Sequence, residues 1–105
     1  MTTGKLVRDR IPEIIAAEGR KPQVKRLSGE ALLSALHDKL DEERAEFFAA
    51  EGDKAKCEEL ADMVEVIIAL AGQHGCDEAV LMELVGRKRE THGGFSEGFF
   101  YEGDE

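Results

Sequence analysis

The feature that most constrains this chain is a pair of long helical repeats separated by a single break. Leu32, Leu33, Leu36, Leu40, Phe47 and Ala50 recur at helical spacing and predict a helix over 30–51. Gly52 and Asp53 interrupt it. Leu60, Met63, Val64, Ile67, Ile68, Leu70 and Ala71 then predict a second helix over 53–74, stopped by Gly75. Asp77 suits the N-cap of a third helix over 77–91, with Val80, Leu81, Leu84 and Val85 inward and Gly93 and Gly94 at its end. Ahead of these, Pro12 fits the first turn of a short helix to Glu18, closed by Gly19, and Ser28 is a candidate N-cap. Strand signals are nearly absent: "PQVKRL" alternates only weakly. Short connections between long helices imply antiparallel neighbours, so the expectation is an all-α, antiparallel helical bundle. The tail "FSEGFFYEGDE" is aromatic and acidic and is expected to be irregular.

At 105 residues the chain is one small domain, 1–105, with a marginal core of its own, which makes self-association plausible. It carries 23 acids against 14 Lys and Arg, a net charge of -9. That balance disfavours a general nucleic-acid binder, whose phosphate contacts need clustered basic residues, and is compatible with divalent cations. The apolar runs are too short to cross a bilayer. Lys5, Arg8, Asp9 and Arg10 interrupt any signal-peptide core at the start, so a cytoplasmic protein is expected. Cys57 and Cys76 lack metal-ligand spacing and read as free thiols.

The acids within the two long helices fall into distinct populations. On a helical wheel Glu43 lies between Leu40 and Phe47, inside the apolar stripe, with Glu46 at its edge and Glu42 further round. On the second helix Glu59 falls inside the apolar arc near Val66 and Leu70, and Asp62 lies at its margin. Glu58 and Glu65 point outward. An unpaired buried carboxylate is costly and protonates unless compensated. Lys39, four residues before Glu43, is the one basic residue on that stripe, and one ammonium does not balance four acids. Residues three apart share a helix face, so Glu43/Glu46 and Glu59/Asp62 make two pairs. Facing antiparallel helices would merge them into a four-carboxylate cluster, whose all-oxygen ligands suit Mg²⁺, Mn²⁺ or Ca²⁺ rather than Zn²⁺. The bland alternative is a solvated acidic face, which a single E-x-x-E does not exclude.

"KLDEERAEF" followed by "EELADMVEVIIAL" resembles the MazG-like, phosphoribosyl-ATP pyrophosphohydrolase-like superfamily of all-α nucleotide pyrophosphatases. Its hallmark E-E-x-x-E, then E-x-x-D, corresponds here to Glu42, Glu43, Glu46, Glu59 and Asp62. "KLVRDRIPEII" and "KRETHGGF" resemble a small subgroup, which usually has Arg where this chain has His92. The resemblance implies a Mg²⁺-dependent hydrolase that cleaves a nucleoside triphosphate between the α and β phosphates, a reaction that suits nucleotide-pool cleaning. It implies Glu43, Glu46, Glu59 and Asp62 as metal ligands, Glu42 as the residue orienting or activating water, and assembly as a homodimer or homotetramer. For the phosphates the favoured residues are Lys39, Arg8 and Lys88, with Lys5, Arg10, Arg87 and Arg89 nearby in sequence. The "HGGF" stretch reads first as a helix stop and second as a loop over the nucleotide.

Two other readings stand beside this one. Phosphoribosyl-ATP pyrophosphohydrolase of histidine synthesis shares the reaction type with a different substrate. A non-catalytic helical module for dimerisation, or for nucleotide or metal binding, would keep the acids without turnover. Burying Glu43 and Glu59 with nothing gained would argue against a pure scaffold.

Overall fold

The computed structural model describes residues 4–105. Among them there is no strand, and four helices follow one another: α1 (Ile11–Ala17), α2 (Gly29–Ala49), α3 (Asp53–Gln73) and α4 (Glu78–His92). The chain is therefore all-α. No helix among the described residues is long and apolar enough to cross a membrane.

Helix ends follow local chemistry. Pro12 occupies the first turn of α1, where its missing N–H costs nothing. The Asp77 side chain accepts a hydrogen bond from the Val80 amide at 2.9 Å and caps α4. Ser28 sits at the N-cap of α2 but its hydroxyl makes no cap bond. Gly52, at φ 88°, turns the chain from α2 into α3, a conformation that L side chains rarely adopt. Helix α2 ends at Ala49, two residues earlier than its periodicity predicts. Ala50 is already extended (ψ 143°), and Lys56 Nζ takes the Phe47 carbonyl at 2.9 Å. Gly93, at φ 84°, closes α4, which supports the helix-stop reading of "HGGF".

Helices α2 and α3 pack along each other. Glu43 lies beside Glu59 and Asp62, and Phe47 beside Lys56, so the partner number falls as the α2 number rises: the pair is antiparallel. Leu36 and Val66 are the buried apolar residues at this seam, and Glu43 is buried with them. Leu32, Leu40, Phe47, Met63 and Ile68 are half-buried. Helix α4 touches α3 and folds back after Gly75.

The inward arcs expected on α3 and α4 are only partly covered. Leu60, Val64 and Ile67 on α3, and Val80, Leu84 and Val85 on α4, are exposed. A single antiparallel partner covers a narrow strip of each helix, and these two arcs are wider than that strip. The molecule is correspondingly open: its radius of gyration is 17.8 Å and its extents are 63 × 35 × 27 Å, whereas a compact domain of this length has a radius of about 13 Å. The tail beyond α4 is irregular, with Phe95, Phe99, Phe100 and Tyr101 exposed.

Candidate metal centre

The register of α2 against α3 brings the two acid pairs together. One oxygen each from Glu42, Glu43 and Glu46 lie within 4.8 Å of one another, and so do oxygens from Glu43, Glu59 and Asp62. Glu43 belongs to both groups and joins the helices. It is also the most enclosed acid, at 6% exposure; Glu42, Glu59 and Asp62 are half-buried and Glu46 is exposed. All five acids of the sequence pattern thus converge.

Two of their oxygens, Glu43 Oε2 and Glu59 Oε2, are buried and find no hydrogen-bond partner among the described residues. Buried polar atoms are nearly always paired, so two orphaned carboxylate oxygens in one cluster need an explanation. Burial pushes the Glu59 carboxyl above its ordinary range, and the neighbouring charges of Glu46 and Asp62 push it further. Burial does the same to Glu46, reinforced by Glu43. The pair therefore holds protons more tightly than free glutamates do. The set is all oxygen and rich in charge, which matches a hard divalent cation such as Mg²⁺ or Mn²⁺.

The cationic residues form a second layer. Lys39, whose side chain is 15% exposed, places Nζ 3.3 Å from Glu42 Oε2 and 3.3 Å from Glu43 Oε1. Burial alone would lower its pKa, but hydrogen bonds and charge from the two acids outweigh it and hold the ammonium above its usual range. Glu42 is the mirror case: burial would raise it, yet Lys5 and Lys39 hold it below the usual carboxylate range. Lys5 Nζ reaches Glu42 Oε1 at 3.3 Å, and Arg8 Nη2 reaches Asp62 Oδ1 at 2.7 Å. The segment before α1 therefore lies over the acids.

Arg8 and Lys39, the expected phosphate residues, are thus placed beside the acids and paired with them, and Lys5 joins them. The sequence signal for Lys5 was its spacing in "KLVRDR", where Leu6 and Val7, both half-buried, fix the segment between two cations. Lys88 is not brought there: it is exposed on α4 and borders neither cleft beside the acids. The reason is geometric, since α4 packs on α3 and on neither α1 nor α2.

Two connected clefts open at the cluster. The smaller, about 290 Å³, is bordered by Lys5, Arg8, Lys39, Glu43 and Asp62 with Val7 and Ile11. The larger, about 580 Å³, shares Arg8, Lys39, Glu43 and Asp62 and adds an apolar wall that includes Leu6, Ile14, Leu32, Leu36, Val66 and Ala69. A charged end and an apolar end in one groove suit a ligand with the same division.

No family model matches the chain, and no solved structure matches it. An uncharacterized protein of Mycolicibacterium smegmatis (strain ATCC 700084 / mc(2)155) is 52% identical over 54 residues. The match covers 51% of this chain and 55% of that relative, so the chain spans about half the relative's length.

Proposed function

We propose that this chain is a Mg²⁺-dependent nucleoside triphosphate pyrophosphohydrolase of the MazG-like type, working as an assembly of identical chains in a multi-helix bundle. The observation that carries the reading is the convergence of Glu43/Glu46 with Glu59/Asp62 around two buried carboxylate oxygens that lack partners. A scaffold gains nothing from such an arrangement, whereas a cation would neutralise it.

The four acids would hold the cation. When bound, Mg²⁺ supplies charge to the phosphoryl oxygens and lowers the pKa of a coordinated water. The chain's own groups do the rest. Glu42, kept ionised by Lys5 and Lys39, is a weak base and suits orientation of the attacking water over proton abstraction. Lys39, fixed by two acids, presents a constant positive charge at the floor of the cleft. Arg8 offers a planar donor to phosphate oxygens at the rim. The apolar wall from Leu32, Leu36 and Val66 gives the nucleoside end a place to lie out of water. Water then cleaves the bond between the α and β phosphates: its oxygen ends on one of the two products, its proton passes to solvent, and monophosphate and pyrophosphate are released.

Pyrophosphate release tests this directly. A panel of ribo- and deoxyribonucleoside triphosphates plus phosphoribosyl-ATP, assayed with Mg²⁺, should show turnover for at least one member. The Glu43→Gln variant should lose activity by about 10²-fold or more while keeping its helical content. Undiminished turnover in Glu43→Gln would remove the metal role assigned to that residue.

A further inference from the structure

We propose that Lys5 and Arg8 are exchangeable counter-cations, held on Glu42 and Asp62 in the cation-free protein and turned to anionic phosphate once a divalent cation has taken Asp62 and drawn on the charge of Glu42 beside it. The proposal rests on reading the acid cluster as a metal centre.

The argument begins with reach. Residues 4–10, before α1, lie across the hairpin and place one cation on each of its helices. Lys5 pairs with Glu42 of α2, 37 residues away, and Arg8 pairs with Asp62 of α3, 54 residues away. Both partners belong to the five acids that converge. A cation entering the cluster therefore competes directly with Arg8 for Asp62, and it weakens the hold of Glu42 on Lys5 through its own charge, because Glu42 lies beside Glu43 and Glu46. The 2.7 Å contact of Arg8 with Asp62 Oδ1 is the tighter of the two.

Burial then separates the three basic residues by role. Lys39 is 15% exposed and divides its ammonium between two acids, so it is built in. Lys5 and Arg8 have side chains 62% and 55% exposed. Exposed pairs of this kind are weak and open readily, because water solvates both ends. Leu6 and Val7 hold the backbone between them against the hairpin, so a released side chain remains at the cleft. There it borders the same space as Lys39, and a guanidinium matches phosphate oxygens well.

One consequence is thermodynamic coupling. A bound cation frees Lys5 and Arg8 for an anion, and a bound anion keeps them off the carboxylates. Each ligand must then raise the affinity of the other by the same factor. Neutralising Arg8 should therefore affect the two ligands in opposite directions, which a merely structural role would not do.

The experiment is calorimetric titration of Mn²⁺ into the full chain, wild type against Arg8→Gln, Lys5→Gln and Arg20→Gln. Inorganic pyrophosphate is then titrated with free Mn²⁺ held in saturating excess. Arg20 pairs with Glu18, borders neither cleft, and controls for the change in overall charge. Arg8→Gln should bind Mn²⁺ up to about fivefold tighter, the ratio expected when an exposed competing ion pair is removed. The same variant should bind pyrophosphate about tenfold or more weakly, as expected for loss of a charged hydrogen-bond donor. Lys5→Gln should move both constants in the same directions by less, and it carries the test if Arg8→Gln fails to fold. Arg20→Gln should leave both unchanged. Mn²⁺ binding to Arg8→Gln and Lys5→Gln that is no tighter than to wild type and to Arg20→Gln overturns the exchange while leaving the metal centre standing. Absence of Mn²⁺ binding to every form removes the metal reading and the exchange together.

Discussion

Glu59 is the acid of the cluster with the least local compensation. Its named neighbours are Glu43, Glu46 and Asp62, all of its own sign, and one of its oxygens has no partner among the described residues. The Glu59→Gln variant should therefore melt at a higher temperature than the parent without divalent cations, and should lose the melting shift that Mg²⁺ gives the parent. Scanning calorimetry with and without the cation checks both halves. The pH dependence has a definite sign. Glu46 and Glu59 have folded-state pKa values above their unfolded ones, so their contribution to stability is complete below the ordinary glutamate pKa. It is lost as pH rises through the raised values. A cation must displace those protons, so the cation-induced rise in melting temperature should grow with pH across that window. Glu42 runs the other way: its depressed pKa gives stability that is present above the unfolded value and lost as pH falls through the folded one. At this scale the sequence was informative because a wheel places Glu43 and Glu59 on apolar arcs. Lys5 was visible only as a cation near Arg8 in the chain, since a non-helical segment has no periodicity to say where its side chains land.

At the scale of elements, helix identity and order followed from apolar spacing and glycine positions, and the end residues depended on capping chemistry. Asp77 is the clear case: a carboxylate before an apolar repeat, found accepting from the Val80 amide. Replacing it with alanine should cost about 1 kcal/mol, read as a shift in the denaturation midpoint with an unchanged slope. Ser28 carries the same signal and makes no cap bond, so Ser28→Ala should cost distinctly less. The α2–α3 seam is the other test. Leu36 is 5% exposed, lines the same cleft as Val66, and lies about two turns before Glu43 on α2. Leu36→Ala should destabilise by about 2–5 kcal/mol and should also weaken cation binding, because the register that joins the two acid pairs depends on this packing. The early end of α2 was not legible, since Lys56 reaching back to the Phe47 carbonyl is a contact between helices.

For the whole molecule, apolar periodicity says that an arc is covered without saying by what. Leu36 and Val66 are covered by their own chain, whereas Leu60, Val64 and Ile67 carry the same repeat and remain exposed at 44%, 49% and 40%. With so little apolar burial in one chain, stability requires more surface to leave water. A second copy laid on this face would supply it. Val64→Glu should shift the sedimenting species toward the monomer and lower the melting temperature. Sedimentation at the parent mass with an unchanged melt would exclude this face as the contact between copies.

The irregular tail has an optical consequence. The chain has no tryptophan and a single tyrosine, Tyr101, which lies beyond α4 and donates a hydrogen bond to Asp104 at 2.7 Å. Absorbance and fluorescence at tyrosine wavelengths therefore come from a segment outside every helix. Melting of α2 and α3 will leave that signal almost unchanged and must be followed by far-ultraviolet dichroism. Tyr101 is correspondingly free to report a separate event, because any surface that closes over the tail will alter its emission while the helices remain intact.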